Sequence, residues 1–250
     1  MINISLQSEY VLSVFGLKMT NAFVTSIIVT TSFIILSIIF HFKIKDRKNI
    51  FINAMRVLMF ELLKFIDLVT QDRGLSKRIL PLVATFFLFI VTANLLALTP
   101  GFLGSFFVVT SAGQFPVLRS PNSDLTTTVS LALFSVVAIQ FFSLGALGIR
   151  QYVSRFLNFT NPIKFILGFF EMISEGVKIL SFSFRLFGNI FAGEVLLLVI
   201  AFIVPYIIPI PFMILEVFVG VIQAFIFAML TLTFIKTSTI DRHNRPIATK

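Results

Sequence analysis

The sequence predicts an all-α polytopic membrane protein with about five membrane-crossing helices, one interfacial amphipathic helix and a long, tilted C-terminal helical hairpin. Composition carries this prediction, because hydrophobic residues make up 57% of the 250 residues and charged residues only 12%. A soluble chain carries roughly a quarter of its residues as charged side chains, so this chain cannot present a water-facing shell on all sides. The composition excludes a disordered chain, a secreted protein and a nucleic-acid-binding domain.

Uncharged runs place the first three membrane spans, at residues 21–42, 79–99 and 125–149. The run Asn21–Phe40 is 20 residues long, enough to cross a hydrocarbon core of about 30 Å at about 1.5 Å per residue. The uncharged run that begins at Ile79 continues beyond the second span, but it contains several prolines. Its second half is therefore predicted to be an apolar loop.

The final apolar stretch, residues 163–236, is predicted to form a hairpin of two long helices, roughly 163–204 and 212–236. Three prolines interrupt it, at Pro205, Pro209 and Pro211. Proline ends helices because it lacks the backbone N–H and clashes with the preceding turn, so the reversal of the chain is expected there.

Residues 50–72 are predicted to form an amphipathic helix in the cytoplasmic interface, because apolar residues recur at three- and four-residue steps. These residues are Ile52, Met55, Met59, Leu62, Leu63 and Ile66. The whole chain, 1–250, is predicted to be a single membrane domain, with an outer N-terminal segment at 1–20 and a cytoplasmic tail at 237–250.

Cations are concentrated on one side of the predicted spans, which sets the orientation of the chain. Nine Lys and Arg residues lie between the first two spans, three after the third span and four after the last helix. The opposite side has only Lys18 and Arg119. The positive-inside rule therefore predicts that the N-terminus is outside and the C-terminus cytoplasmic.

The hairpin carries ionisable residues within apolar sequence. They are Glu171, Glu175, Lys178, Arg185, Glu194 and Glu216. A charge near the centre of a bilayer costs about 3 kcal/mol on insertion scales, so these residues indicate a functional site unless they lie at the interface and extend into water. Two alternatives remain for Lys178: it lies at the interface and extends into water, or it forms an ion pair with Glu171 or Glu175.

Helical spacing separates these residues into faces. One stripe, about 80° wide at about 100° per residue, contains Glu171, Glu175, Lys178, Arg185 and Asn189. Glu194 lies off this stripe. The last helix carries Glu216, Gly220, Gln223 and Phe227 on one face, and antiparallel pairing would bring Gln223 near Arg185 and Glu216 near Glu194.

A permanent cation in the middle of this polar stripe argues against a simple channel. Arg185 stays charged at any relevant pH, so it would repel passing cations and interrupt a continuous proton pathway. Two separate half-pathways with a cationic barrier between them fit the pattern better. The chain has no Cys and 2 His, and it lacks a phosphate-binding loop, so no cofactor and no nucleotide chemistry are expected on it.

Four segments follow one another along the chain: Asn94–Pro100; Pro121–Asp124; Ser181–Glu194, which contains Arg185-Leu-Phe-Gly-Asn189; and Gln223-Ala-Phe in the last helix. In this order they resemble subunit a of the F-type ATP synthase, the membrane sector subunit of the bacterial type. The resemblance covers roughly residues 20–240, and the arginine motif together with Gln-Ala-Phe is highly specific to that family.

The resemblance implies a stator subunit that is not an enzyme by itself and that faces a rotating ring of subunit c. Arg185 would be the essential ion-translocation arginine opposite the carboxylates of the ring. The other residues that the resemblance implies are Asn189, Glu194, Glu216 and Gln223 in the outer half-channel, and Glu171, Ser174 and Glu175 in the cytoplasmic one. The implied partners are the subunit c ring, the subunit b peripheral stalk, the rest of the complex and membrane lipid.

The resemblance also implies a bacterial plasma membrane location and a proton as the translocated ion. Some relatives carry a histidine at the Glu194 or Glu216 position. Here both are carboxylates, which leaves sodium as an alternative ion. Two other functions stay open: an ion-coupled secondary transporter that uses Arg185 to hold an anionic substrate, and a scaffold subunit of a membrane complex. The absence of an internal repeat disfavours the transporter.

Overall fold

The structure, a computed structural model, describes residues 10–14, 17–43, 49–98, 107–110, 113–116, 119–156, 162–204 and 207–239. The described helices are α1 (Asn21–Lys43), α2 (Ile50–Thr70), α3 (Arg73–Leu98), α4 (Leu125–Phe156), α5 (Pro162–Ile203) and α6 (Pro209–Thr239). All of them except α2 are long and apolar enough to cross a membrane. The predicted class, an all-α polytopic membrane protein, is confirmed.

Two short β-hairpins add to the helices. β1 (Tyr10–Val14) pairs antiparallel with β2 (Leu17–Thr20), and β3 (Phe107–Thr110) pairs antiparallel with β4 (Gly113–Pro116). The second hairpin occupies part of the segment that the sequence predicts to be an apolar loop. Two strands alone are marginally stable in water, so these hairpins are local connections rather than a second layer of the fold.

Side-chain caps set where several helices begin. Asn49 Oδ1 accepts the backbone N–H of Phe51 at 3.0 Å, before α2. Asp72 Oδ1 accepts that of Gly74 at 2.8 Å, before α3. Such caps satisfy N–H groups that have no partner within the helix. The Asp72 cap explains why α3 begins at Arg73, six residues before the predicted span.

The bundle core lies between α3, α4, α5 and α6. One cluster of buried apolar side chains includes Ile90 of α3, Ala132 of α4, Leu186 of α5 and Phe227 of α6. A second cluster joins α2, α3, α4 and α6, with Ile66 of α2 as its α2 member. These clusters hold α5 and α6 side by side and place their polar residues at fixed positions.

Small hydroxyl side chains make hydrogen bonds between the packed helices. Ser135 Oγ and Thr231 Oγ1 are 2.8 Å apart between α4 and α6. Thr128 Oγ1 and Ser183 Oγ are 3.2 Å apart between α4 and α5. Lipid chains offer no hydrogen-bond partners to these hydroxyl groups, so the groups bond to each other. Small residues also let the helices approach closely.

α5 is much longer than a bilayer core is thick. Its 42 residues span about 63 Å at about 1.5 Å per residue, roughly twice the hydrocarbon thickness. A helix of this length has to tilt or extend beyond the membrane. Large apolar side chains such as Phe169, Phe184 and Phe202 are exposed along it, as expected for surfaces that contact lipid or another membrane chain.

α2 packs one face on the bundle, with Ile52 and Ile66 buried. The remaining residues of its predicted apolar face are half-buried. Lys236 Nζ of α6 donates to the backbone oxygen of Val69 at 2.5 Å and so holds the end of α2 on α6. Phe60 and Leu68 of α2 are exposed. Its position in a membrane interface stays a prediction.

Candidate functional site

Arg185 lies on the exposed side of α5, near the middle of the helix. Its Nη2 donates to Ser181 Oγ, one turn earlier on the same helix, at 3.1 Å. Among the described residues, no carboxylate lies within ion-pair distance of it. The described hydrogen bond of Arg185 is therefore within its own helix, and its charged group faces the outside of the bundle.

A cavity adjoins Arg185 on the side toward the start of α5. Its volume is about 160 Å³. The residues that line it are Val177, Lys178, Ser181, Phe182, Arg185, Leu230 and Phe234. Two of these carry a positive charge, and the serine hydroxyl lies between them along the helix. The cavity thus lies between α5 and α6 with a mostly apolar lining, to which Lys178, Ser181 and Arg185 add polar groups.

Asn189 and Gln223 join α5 to α6 one turn beyond Arg185. Asn189 Nδ2 donates to Gln223 Oε1 at 2.6 Å, and Gln223 is buried. The sequence predicts that antiparallel pairing brings Gln223 near Arg185. The structure pairs Gln223 with Asn189, which lies one helical turn beyond Arg185 on α5.

Glu194 and Glu216 lie further toward the turn between α5 and α6. The carboxyl carbon of Glu216 would be 3.1 Å from a Cβ at Gly193, the residue before Glu194. The two helices therefore place these carboxylates in the same region, as their spacing predicts. Glu216 Oε2 is buried and has no hydrogen-bond partner among the described residues.

Arg119 is the partner of Glu194. Its Nε lies 3.0 Å from Glu194 Oε1 and donates to Ser123 Oγ at 3.1 Å. We define the distal cluster as Arg119, Asn189, Glu194, Glu216 and Gln223. Sequence analysis treated Arg119 only as a topological charge. Its position two residues before the Pro121–Asp124 motif was the signal that could have linked it to the site.

Asn94 and the Pro121–Asp124 motif meet beside the distal cluster. Asn94 Oδ1 accepts from Asn122 Nδ2 at 2.8 Å and from Ser120 Oγ at 3.1 Å. Its Nδ2 donates to the backbone oxygen of Gly220 at 3.2 Å. A Cβ at Gly220 would lie 3.2 Å from Asn94 Cβ, so a glycine allows α3 and α6 to approach here.

A second group of charges lies near the start of α5. Glu171 forms an ion pair with Arg155, at the end of α4. Glu175 Oε1 accepts from Lys178 Nζ at 2.6 Å, which decides the partner of Lys178 that the sequence left open. Ser174 is exposed and donates to the backbone oxygen of Phe170, so it lies outside this group.

Two further residues of α4 complete this second group, and sequence analysis missed both. Gln140 Nε2 donates to Glu175 Oε2 at 2.5 Å, and Tyr152 Oη donates to Gln140 Oε1 at 3.0 Å. We define the proximal cluster as Gln140, Tyr152, Arg155, Glu171, Glu175 and Lys178. A glutamine inside a long apolar helix was the signal that could have identified Gln140.

The fold and these clusters define a multi-pass helical membrane protein in which an exposed arginine separates two groups of partly buried polar and charged side chains. Residues 23–236 match the family model described as ATP synthase A chain. The chain belongs to the ATP synthase subunit a family.

Curated relatives from several bacteria agree with this assignment. The ATP synthase subunit a of Moorella thermoacetica is 34% identical over 213 residues, which are 84% of this chain and 88% of the relative. That of Legionella pneumophila is 35% identical over 157 residues, 63% of this chain and 60% of the relative. That of Campylobacter jejuni is 33% identical over 177 residues, 70% of each chain.

Proposed function

We propose that this chain is the membrane stator subunit of an F-type ATP synthase, where it forms two proton half-channels against a rotating ring of subunit c. Arg185 is the cationic barrier between the half-channels, and proton movement through them is coupled to ATP synthesis. The chain carries no chemistry on nucleotides itself. The observation that carries the proposal is the position of Arg185, exposed and without a described carboxylate partner, between two separate polar clusters.

Electrostatics explains why the exposed arginine suits this task. An unpaired guanidinium on the outside of a bundle attracts a carboxylate on a neighbouring membrane chain. At about 4 Å and an effective dielectric constant of about 20, this attraction is worth about 4 kcal/mol. It favours the ionised carboxylate, so each site on the ring gives up its proton as it passes Arg185. The same charge keeps protons from crossing directly between the half-channels.

The two clusters supply the half-channels in this proposal. The distal cluster, at the end of the hairpin away from most of the cations, lines the outer half-channel. The proximal cluster and its neighbour Ser174 line the cytoplasmic one. The positive-inside rule supports this orientation, with the N-terminus outside and the C-terminus cytoplasmic in a bacterial plasma membrane.

The partners of the chain follow from the same proposal. The exposed face of α5 around Arg185 contacts the subunit c ring, and the chain also binds the subunit b peripheral stalk within the complex. Family membership supports these assignments. The ion is a proton, with sodium as the alternative because Glu194 and Glu216 are both carboxylates.

The test is ATP-driven acidification of inverted membrane vesicles that contain the complete complex, with Arg185→Ala compared to the parental chain. Blots of the other subunits establish equal assembly, and each assay is run with and without sodium. We expect the variant to assemble and to lose pumping. Unchanged pumping would reject the barrier role, and failed assembly with intact ion flux would favour a scaffold function.

Arg185→Lys sharpens this test because it keeps a positive charge. An ammonium group in apolar surroundings can lose its proton and cannot make the planar, two-point contact of a guanidinium. We therefore expect Arg185→Lys also to abolish coupled synthesis. Normal pumping by an assembled Arg185→Lys complex would contradict the proposed role. Substrate-dependent uptake by the purified chain alone would support a secondary transporter instead.

A further inference from the structure

A kink in α4 brings Tyr152 back along the helix to Gln140. In a straight helix, residues twelve positions apart are separated by about 18 Å along the axis. Gly148 has φ 77° and ψ 158° inside α4, a backbone conformation that favours glycine. The segment after Gly148 changes direction there, and Tyr152 Oη reaches Gln140 Oε1 at 3.0 Å.

This contact fixes the orientation of the Gln140 amide. Because Oε1 accepts the hydrogen bond of Tyr152, Nε2 is the atom that faces α5. There it donates to Glu175 Oε2 at 2.5 Å. The amide therefore holds a carboxylate without bringing a second charge to it. Tyr152 touches Gln140 and influences Glu175 only through that amide.

Glu175 in turn holds Lys178. Its other oxygen, Oε1, accepts from Lys178 Nζ at 2.6 Å, and the two side chains are only 13% and 16% exposed. Lys178 Nζ also lies 4.9 Å from the centre of the Phe234 ring. Lys178 and Phe234 both line the cavity beside Arg185. The cavity thus has two cationic residues in its wall, and one of them is neutralised by an acid fixed from α4.

We propose that Gln140 and Tyr152 are positioning residues that hold the Glu175 carboxylate on the Lys178 ammonium, so that Lys178 does not repel a cation entering the cavity beside Arg185. This inference rests on the proposed function, in which the proximal cluster lines the cytoplasmic half-channel; Lys178 of that cluster also lines the cavity. Without Glu175 in place, a proton on its way to the ring would meet two uncompensated positive charges. Like charges several ångströms apart repel each other more strongly in partly buried sites than in water, because the effective dielectric constant is lower there.

The first experiment measures the initial rate of ATP-driven pumping in inverted vesicles with complete complexes. We expect Glu175→Gln to slow pumping about tenfold, and Gln140→Leu and Tyr152→Phe about threefold each, the size of one lost hydrogen bond. Because Tyr152 acts through Gln140, the variant with both changes should be no slower than Gln140→Leu alone. Gln151→Leu, at the exposed neighbour of Tyr152, is the matched control and should pump at the parental rate.

The decisive experiment removes the charge that Glu175 is proposed to neutralise. We expect Glu175→Gln combined with Lys178→Met to pump severalfold faster than Glu175→Gln alone, since removal of both members of a buried ion pair leaves no uncompensated charge. A combined variant as slow as Glu175→Gln alone would overturn the proposal, because it would mean that the carboxylate itself is required. Parental rates for Glu175→Gln alone would also overturn it.

Arg185→Ala, measured in parallel, separates this inference from the proposed function. If Arg185→Ala pumps normally, the proposed function fails. If Arg185→Ala loses pumping while Gln140→Leu and Tyr152→Phe pump at the parental rate, only the positioning role fails. Should Gln140→Leu reduce assembly, Tyr152→Phe decides the question, because pumping per assembled complex stays at the parental rate if Tyr152 has only a structural role.

Discussion

Arg119 Nε lies 3.0 Å from Glu194 Oε1 and joins the segment before α4 to the last quarter of α5. The Arg119 side chain is 8% exposed and that of Glu194 is 22% exposed. The backbone N–H of Arg119 also donates to Thr25 Oγ1 of α1 at 3.3 Å. This pair separates the roles of the two distal carboxylates: Glu194 is bound to a cation, whereas Glu216 keeps an oxygen without a described hydrogen-bond partner.

Arg119→Ala should destabilise the complex by about 3 kcal/mol, because it leaves a largely buried carboxylate without its cation. The expected result is less subunit in the membrane and a lower temperature of inactivation for the purified complex. Quantitative blotting measures the amount of subunit, and ATP-driven pumping after heating measures the temperature of inactivation.

The combination of Arg119→Gln with Glu194→Gln is the matched control for that prediction. Two neutral amides can hydrogen-bond to each other, so this variant should recover most of the lost stability. A combined variant as unstable as Arg119→Ala would show that Arg119 stabilises the fold through contacts other than its ion pair.

Glu216→Gln should slow pumping at least about tenfold without preventing assembly. A carboxylate can accept and release a proton, and loss of a positioned proton carrier generally costs a large factor in rate. Initial rates of vesicle acidification measure the effect. Glu61→Gln is the control, because Glu61 is an exposed acid on α2, away from the clusters, whose ion-pair partner is Lys64 at 3.9 Å. Equal pumping rates for the two variants would show that Glu216 is not a required proton carrier.

Asn189→Ala and Gln223→Ala should each slow pumping about threefold, because hydrogen bonds between membrane helices contribute about 0.6 kcal/mol on average. Their side chains bind each other at 2.6 Å, so the effects should not add in the double variant. Pumping rates of the two single variants and the double variant give the coupling directly. Additive effects would show that each side chain acts independently of the other.

Gly168→Ala should disrupt the crossing of α5 over the end of α4. A Cβ at Gly168 would clash with the backbone oxygen of Phe156, so the helices would have to move apart. The ion pair between Arg155 and Glu171 lies at the same crossing and should weaken. The expected result is poor assembly, seen by blotting of the complex.

Gly145→Ala is the control for that change, because among the described residues nothing apart from its chain neighbours and its own helix backbone lies within 4 Å of a Cβ there. In a helix, alanine is preferred over glycine by up to about 1 kcal/mol, so this variant should assemble at least as well as the parental chain. Poor assembly of both variants would point to a general effect of glycine replacement rather than to the crossing.

Much of the fold could be predicted because membrane spans depend on local hydrophobicity. Asn21–Lys43, a run of apolar residues with Lys43 at its end, is helical as expected. The extension of α3 back to Arg73 and the continuation of α4 beyond Gly148 were not predicted. Charges mark where apolar sequence ends, but a helix continues through charged residues when caps such as Asp72 satisfy its first N–H groups.

The candidate site was predictable only within each helix. The spacing of Arg185 and Asn189 on α5 follows from the helical repeat. The pairing of Lys178 with Glu175 follows from the same repeat, because Glu175 lies three residues before Lys178 on α5. The pairing of Glu171 with Arg155 does not, because Arg155 approaches from α4. The pair of Arg119 with Glu194 was also missed, since residues 75 positions apart meet only through the packing of several helices.

Composition and residues close together in the chain are enough to predict the helical membrane class, the polar stripe with Arg185 and the family resemblance. Three-dimensional packing decided that Arg119 pairs with Glu194 and Arg155 with Glu171. It also decided that Gln223 binds Asn189 and that Tyr152 reaches Gln140 past the Gly148 kink. Ion pairs and hydrogen bonds act over a few ångströms. The relative rotation and depth of neighbouring helices therefore decide them, and no single helix encodes either quantity.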